Sequence, residues 1–196
     1  MPHKEKIIQF LDEISERTQK IGAVNTIIKA QNKLIGENTD CIGVQYAMKN
    51  IRDIKNKSFL LIGAGGVARA TIFALKEMGV SKITIWNRTI EKGLRLSQDF
   101  DVHFSEKIPD ESEVIINCTT IGLKDGEVLP ISDEILKNAK IVFDMVYGET
   151  DLIKRAKKFG LVTIEGKEML LGQAFEQFKL FTGIDAPKAT MIEVLK

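Results

Sequence analysis

The sequence predicts an α/β protein built around a doubly wound parallel sheet. From Lys57 onward, short apolar runs alternate with segments of helical periodicity, and this alternation gives a parallel sheet with helices on both faces. The first apolar run, Phe59–Ile62, ends in Gly63-x-Gly65-x-x-Ala68 and leads directly into a helical pattern. Right-handed crossovers between the strands make such a sheet doubly wound. The length of 196 residues suits one large domain, or one domain plus part of another.

The first element is expected to be one amphipathic helix over Glu5–Lys20. Pro2 stands before it, where a missing N–H is tolerated, and Gly22 ends it. Its apolar residues at helical spacing are Ile7, Ile8, Leu11 and Ile14.

A hairpin and a second helix are expected next. Ala23–Ala30 is rich in Val, Ile and Thr, and Leu34–Thr39 is expected to return beside it after a turn at Gln31–Lys33. A helix follows over about Ile42–Arg52, and Asn50–Lys57 is the best internal boundary.

The remaining elements follow the βα alternation. Strands are expected at 59–62, 82–86, near 102, and at 114–117, 141–144 and 161–164. Helices are expected at 67–78, from about 90, and at 133–138, 151–159, 169–181 and 187–196.

The glycine-containing turn after the first strand predicts dinucleotide binding of the Rossmann type. Gly63 permits the tight turn, Gly65 lets the backbone approach a pyrophosphate, and Ala68 lets the helix pack close to the strand. The phosphates then lie at a helix N-terminus, where free N–H groups favour an anion. The same turn also contains Ala64, Gly66 and Val67. The alternative is an ordinary strand–helix turn without a ligand.

The residues after the second strand favour NADP over NAD. An NAD site usually places an acid at this strand end to bind the ribose 2′-hydroxyl, and none is present here. Arg88 instead offers a planar, permanently charged fork that suits a 2′-phosphate. Asn87 and Thr89 add hydrogen-bonding groups beside it. The alternative is a plain strand end followed by an N-cap threonine.

Composition and charge argue against several other functions. The net charge of +1 gives no case for nucleic acid or membrane binding, and the apolar runs are too short to span a bilayer. Cys41 and Cys118 have no metal-binding spacing, and His3 and His103 lie far from them in sequence, so neither a metal site nor a disulfide is expected. Two reduced thiols and the lack of a visible signal peptide favour a cytoplasmic protein.

The order of short motifs resembles the shikimate dehydrogenase family. The matching segments are Pro2-His-Lys4, Gly22-Ala-Val-Asn-Thr26, Gly36-Glu-Asn-Thr-Asp40, Gly63-Ala-Gly-Gly-Val-Ala68, Asn87-Arg-Thr89, Asn117-Cys-Thr-Thr120, Asp144-Met-Val-Tyr147 and Gly166-Lys-Glu-Met-Leu-Leu-Gly-Gln173. The resemblance implies NADP-linked interconversion of 3-dehydroshikimate and shikimate, a step toward chorismate and the aromatic amino acids. Alone, Lys4 and Asp40 would be interpreted as an exposed lysine and an N-cap aspartate.

The resemblance also implies a role for each matching residue. Lys4 and Asp40 would form the catalytic pair, in which an ammonium donates the proton that a developing alkoxide needs. Asn25, Tyr147 and Gln173 would bind the substrate. Thr119, Met145 and Gly166 would line the nicotinamide side of the cofactor site.

One departure from the family concerns the substrate domain. In the family a Ser-x-Ser pair that binds the substrate carboxylate precedes the Pro-His-Lys motif, and this sequence begins at Met1. We therefore expect residues 1–45 to be a partial substrate domain, 46–182 the NADP domain, and 183–196 a helix that packs on the first part. An exposed apolar face on the first helix would favour a homodimer. The alternatives are a quinate/shikimate dehydrogenase using NAD and a catalytically impaired NADP-binding module.

Overall fold

The computed structural model describes residues 3–124 and 126–195, so the expected position of Pro2 and the end of the last helix at Lys196 lie outside the described residues. The strands are β1 (Glu13–Ile14), β2 (Thr26–Ala30), β3 (Lys33–Glu37), β4 (Ser58–Ile62), β5 (Lys82–Trp86), β6 (His103–Phe104), β7 (Val114–Asn117), β8 (Ile141–Asp144) and β9 (Val162–Glu165). The helices are α1 (Glu16–Ile21), α2 (Asp40–Met48), α3 (Gly66–Glu77), α4 (Ile90–Phe100), α5 (Asp133–Asn138), α6 (Asp151–Lys158), α7 (Gly166–Thr182) and α8 (Lys188–Val194).

The larger sheet has six strands in the order β6-β5-β4-β7-β8-β9, and every neighbouring pair is parallel. The chain therefore winds outward from β4 in one direction and from β7 in the other, which confirms the doubly wound sheet. Ligands of such sheets bind outside the carboxyl ends of the strands at the point where the order reverses. Here that point lies between the ends of β4 and β7.

The core lies on both faces of this sheet because its central strands are buried on both sides. Phe59 and Leu61 of β4 point into one apolar cluster with residues of α3 and α4. Leu60 and Ile62 point into a second cluster with residues of α5 and α6. Burying each such side chain contributes about 1.5–3 kcal/mol, so the strand that ends in the glycine turn is firmly held.

The smaller sheet has three strands in the order β1-β3-β2. β2 and β3 form the expected antiparallel hairpin, and β1 runs parallel to β3.

The prediction of a single helix over Glu5–Lys20 is wrong. The segment forms a 3-10 turn at Lys6–Phe10, then β1, then α1. Asp12 exchanges two hydrogen bonds with Leu34: its N–H donates to the Leu34 carbonyl at 3.0 Å, and its carboxylate accepts from the Leu34 N–H at 2.7 Å. Ser15 then caps α1 by accepting from the Thr18 N–H at 3.3 Å. Side chains that hydrogen-bond to the backbone in this way compete with helix formation. The helical spacing of the apolar residues was therefore not enough to predict the structure of this segment.

Helix α7 joins the two sheets. It packs on α2, where a Cβ on Gly43 would meet the Met169 carbonyl oxygen at 2.5 Å and one on Gly172 would meet Tyr46 Cβ at 2.5 Å. This close crossing places the middle of α2 against the first half of α7. None of the helices in the described ranges combines the length and the apolar character that a membrane span requires.

Candidate active site

A cavity of about 860 Å³ lies where the carboxyl edge of the larger sheet faces the smaller sheet and α7. Most of the residues that the sequence analysis selected line it: Lys4, Asn25, Asp40, Gly63, Ala64, Gly65, Gly66, Val67, Asn87, Arg88, Thr89, Thr119, Met145, Tyr147 and Gln173. The fold therefore brings together residues from both ends of the chain.

Two predicted cofactor residues lie outside this lining. Ala68 is fully buried within α3, where it allows the close helix–strand packing expected of that position. Gly166 begins α7, and a Cβ there would meet the carbonyl oxygens of Met145 and Val146 at 2.7 and 2.9 Å. Gly166 therefore supports the Met145 loop from behind.

Lys4 and Asp40 form an ion pair at one end of the cavity. The distance from Lys4 Nζ to Asp40 Oδ2 is 2.5 Å, and the side chains are 15% and 3% exposed. Asp40 is the first residue of α2, where the helix dipole favours a carboxylate. The carbonyl of Lys4 accepts from the N–H of Val24 at 2.8 Å, which fixes the lysine backbone beside Asn25, just before β2.

Asn25 holds the other oxygen of Asp40. Its amide nitrogen donates to Asp40 Oδ1 at 2.8 Å and to the hydroxyl of Thr39 at 2.9 Å. Its amide oxygen accepts from the N–H of Thr39 at 2.8 Å and from the hydroxyl of Thr26 at 3.0 Å. These bonds orient the aspartate from two sides.

Gly66 places this pair against the glycine turn. A Cβ on Gly66 would lie 3.0 Å from Lys4 Cβ and 3.3 Å from Lys4 Cδ. The lysine side chain therefore lies directly on the first residue of α3, and any larger side chain at this position would push it away.

The turn itself has the geometry of an anion cradle. Gly63 has φ +114°, which an L side chain rarely adopts. Gly65 is the N-cap of α3 and has no side chain to cap the helix. A Cβ at this position would meet no protein atom within 4 Å, so the space beside it is open. The N–H groups of the first helical turn have no intrahelical acceptors and are available to a phosphate in this open space. The residues present therefore fit a dinucleotide pyrophosphate.

Arg88 and Lys92 provide positive charge at the other end of the cavity. Both are exposed, and neither has a carboxylate within 4.0 Å in the described part of the chain. Lys92 was not predicted. Its signal is its spacing from Thr89, the N-cap of α4, because a residue three positions later falls on the same side of the helix.

Tyr147 and two glutamines line the side toward α7. Burial, together with the nearby Asp40 carboxylate, raises the pKa of the Tyr147 phenol, and the Gln173 amide partly offsets this. The phenol therefore stays protonated at neutral pH and can donate a hydrogen bond. Gln177, also missed, lies one turn beyond Gln173 and donates to the hydroxyl of Thr26 at 3.1 Å.

The two cysteines are buried and stay protonated. Burial raises the pKa of Cys41 to about 11 and that of Cys118, which lines the cavity, to about 12. Neither thiol is therefore an activated nucleophile at neutral pH. Among the described residues, no group of three His, Cys, Asp or Glu side chains could hold a metal ion.

The strand order, the anion cradle at its reversal point and the facing lysine–aspartate pair together define a dinucleotide-linked oxidoreductase of the α/β class. Comparison with known proteins makes this specific. Family models match residues 1–27 (shikimate dehydrogenase substrate binding domain), 45–122 (shikimate / quinate 5-dehydrogenase) and 166–196 (shikimate 5′-dehydrogenase C-terminal domain).

The chain belongs to the shikimate dehydrogenase family. A shikimate dehydrogenase (NADP(+)) of Aquifex aeolicus is 41% identical over 191 residues, which cover 95% of this chain and 71% of the relative. The crystal structure of shikimate dehydrogenase from Aquifex aeolicus superposes with a TM-score of 0.92 at 37% identity, over 100% of this chain and 75% of that one. The Thermus thermophilus enzyme, in complex with NADP(H) and shikimate, gives 0.88 at 34% identity, over 100% and 76%.

Proposed function

We propose that the chain catalyses the reversible NADP-dependent reduction of 3-dehydroshikimate to shikimate. The observation that carries this proposal is the Lys4–Asp40 ion pair lying on Gly66 of the anion cradle, because it places a proton donor next to a dinucleotide site. The names of the relatives and the NADP(H)–shikimate complex of the Thermus enzyme support the same substrate and cofactor.

Lys4 and Asp40 would act as the catalytic pair. When bound, the nicotinamide supplies the hydride in reduction and accepts it in oxidation. The Lys4 ammonium would donate a proton to the oxygen that gains negative charge during reduction, and would take that proton back in oxidation. Asp40 would hold the lysine in place and share the proton, as its hydrogen bond to Nζ supports.

Asn25, Tyr147 and Gln173 would bind the hydroxyls of the substrate. All three line the cavity on the side of the catalytic pair. Asn25 already donates both amide hydrogens, so a substrate hydroxyl would have to replace one of its present acceptors. Tyr147 lies near both Asp40 and Gln173, and Tyr147 and Gln173 would complete the site from the α7 side.

The cofactor would run along the cavity from the catalytic pair to Arg88. Gly63, Ala64, Gly65, Gly66 and Val67 would contact the pyrophosphate, and Ala68 would set the helix position. Asn87, Arg88 and Thr89 would bind the 2′-phosphate, with Lys92 as a second cation. Thr119 and Met145 would contact the nicotinamide, with Gly166 supporting them.

The domain division and the homodimer are further parts of the proposal. We propose residues 1–45 as part of the substrate domain and 46–182 as the NADP domain, with 183–196 associated with the first; the separation of the two sheets supports this.

The proposed homodimer cannot rest on the expected apolar face at Ile7, Ile8, Leu11 and Ile14, because these residues are half-buried. The exposed apolar residues Ile27 and Leu34, on one face of the smaller sheet, support a dimer instead. A single monomeric species in analytical ultracentrifugation would refute it.

The test is oxidation of shikimate or quinate with NADP⁺ or NAD⁺, followed by the absorbance of the reduced nicotinamide. We expect shikimate with NADP⁺ to be the best pair. A clear preference for NAD⁺ would favour the quinate/shikimate alternative. NADPH binding without turnover of either substrate would favour a binding module.

A further inference from the structure

Asp144 is a buried carboxylate at the end of β8 that the proposed reaction does not use. It is fully buried, and no lysine, arginine or histidine lies within 4.0 Å of it in the described ranges. Burial raises its pKa. Burying a carboxylate without a cation destabilises the folded state unless hydrogen bonds offset the lost hydration.

All the hydrogen-bond partners of Asp144 are donors. Asn117 Nδ2 donates to Oδ1 at 2.9 Å, the N–H of Val146 donates to the same oxygen at 3.0 Å, and the Thr150 hydroxyl donates to Oδ2 at 2.6 Å. The Thr150 oxygen in turn accepts from the N–H of Ile153 at 3.2 Å, so the same hydroxyl also caps α6. An ionised carboxylate can accept from all three donors at once, whereas an amide at this position could accept from two of them at most.

Through Asn117, the same carboxylate reaches a second loop. Asn117 is also fully buried and donates to the carbonyl of Ile121 at 3.0 Å. Its amide oxygen accepts from the N–H of Thr119 at 2.9 Å and from the Thr119 hydroxyl at 2.7 Å. One carboxylate thus ties the loop after β7 to the loop after β8. Thr119, Met145, Val146 and Tyr147, which line the cavity, belong to these two loops.

We propose that Asp144 is a positioning residue that fixes the nicotinamide end of the cavity by joining these two loops. The inference rests on the proposed function, since it assigns the nicotinamide to this end. The hydrogen bonds of this network include neither Arg88 nor the glycine turn, although Gly63 packs on Thr119. Loss of the Asp144 carboxylate should therefore leave most of the phosphate anchoring intact. The ring would lose its fixed orientation toward Lys4, and misplacement of about 1 Å can cost about 100-fold in rate.

Two variants with matched controls test the proposal. Asp144→Asn places an amide hydrogen against one of three donors, and Thr150→Val removes one donor along with the cap of α6. Glu113→Gln is the control for removal of a carboxylate far from the cavity. Glu113 lies at the opposite edge of the sheet, where it accepts from the N–H of Ser58 at 3.3 Å and forms ion pairs with Lys140 and Lys57. Ser132→Ala is the control for the second, because it removes only the cap of α5. Thr150→Ser keeps the hydroxyl and should restore wild-type behaviour.

Three readouts separate positioning from general damage: the Kd for 2′,5′-ADP, which lacks the nicotinamide; the fluorescence of bound NADPH; and kcat for shikimate oxidation. In Asp144→Asn we expect an unchanged Kd for 2′,5′-ADP, weaker and red-shifted NADPH fluorescence, and a kcat lower by about 30- to 100-fold. Thr150→Val should show the same pattern with a smaller loss. Both controls and Thr150→Ser should match the wild type.

Unchanged fluorescence and kcat in a folded Asp144→Asn or Thr150→Val variant would overturn the proposal. Loss of 2′,5′-ADP binding in step with kcat would also overturn it, because that pattern indicates general structural damage. If Asp144→Asn does not fold, the comparison of Thr150→Val with Thr150→Ser tests the proposal instead. If the wild type does not oxidise shikimate, the proposed function fails, while the fluorescence and 2′,5′-ADP measurements still decide the role of Asp144.

Discussion

The two ends of the cavity are built in opposite ways. The catalytic corner (Lys4, Asn25, Thr39 and Asp40) consists of side chains that are mostly buried and bonded to one another. The cofactor edge (Gly63–Val67 with Arg88 and Lys92) consists of backbone N–H groups and exposed cations that have no carboxylate partner in the described part of the chain. The corner is arranged before any ligand arrives, whereas the edge leaves its charges free for a ligand.

This difference fits the chemistry proposed for each end. Proton transfer depends on a fixed donor geometry, and preorganised hydrogen bonds supply it. Phosphate binding depends on available donors and charge, and partners within the protein would weaken it. Substitutions at the corner should therefore change mainly turnover, and substitutions at the edge mainly binding.

Lys4→Ala should give the largest effect on turnover. Removing a general acid or base typically costs about 10²- to 10⁴-fold in kcat, and NADPH binding should be nearly unchanged. Steady-state kinetics beside an NADPH titration measure both quantities. An equal loss of both would contradict the role of Lys4.

The same substitution leaves Asp40 buried without its cation, so stability needs a control. Removing one partner of a buried pair costs about 3–5 kcal/mol, and the melting temperature should fall. The double variant Lys4→Ala, Asp40→Asn should recover part of this stability without recovering turnover. Recovery of turnover would show that the pair is structural.

Arg88→Ala should raise the KM for NADPH and spare the use of NADH. Losing a charge-assisted hydrogen bond of about 1.5–3 kcal/mol corresponds to a rise in KM of about 10- to 160-fold. Lys92→Ala should act in the same direction but less, because an ammonium makes no planar fork. Arg95→Ala, which removes an exposed arginine of α4, is the control and should change the KM of neither cofactor. A matching loss of NADH use would show that Arg88 does not recognise the 2′-phosphate.

Substitutions at two neighbouring glycines, Gly65 and Gly66, should distinguish the catalytic corner from the cofactor edge. Gly66→Ala should push Lys4 and lower kcat by about tenfold with little change in Kd, because its Cβ would lie 3.0 Å from Lys4 Cβ. Gly65→Ala meets no protein atom within 4 Å, so it should weaken NADPH binding instead by filling the space for the pyrophosphate. The same kinetic and binding assays suffice. Identical effects of the two substitutions would remove the distinction between corner and edge.

The smallest effects concern the two thiols. The folded pKa of Cys118, about 12, exceeds its ordinary value of 9.0, so the neutral thiol adds stability below pH 9 that is lost as the pH rises toward 12. At pH 8 we expect both thiols to react with a disulfide reagent only slowly until the protein is denatured. NADPH should protect Cys118, which lines the cavity, more than Cys41. Rapid reaction of both thiols in the native protein would contradict their burial.

The residues of the cofactor edge can be selected from local sequence, whereas those of the catalytic corner cannot, and the reason is physical. Each residue of Gly63–Ala68 has a role defined by its immediate neighbours, and Arg88 follows directly from a strand end. Lys4 and Asp40 are 36 positions apart, and no local pattern shows that they meet. Their pairing came only from the family resemblance.

The errors and omissions have the same origin. The expected first helix failed because the partners of Asp12 lie across a strand pair. Asp144 was visible only as part of a short motif, because its importance depends on burial and on donors from two loops. Lys92 and Gln177 could have been found, since each follows a selected residue by one helical turn.

A crystal structure of the chain with NADP⁺ and shikimate tests the division between corner and edge most directly. We expect the 2′-phosphate to lie on Arg88, and the hydroxyl being oxidised to lie within hydrogen-bond distance of Lys4 Nζ. The nicotinamide should lie between the loops that carry Thr119 and Met145. A structure with the phosphate away from Arg88, or with shikimate out of reach of Lys4, would contradict this division.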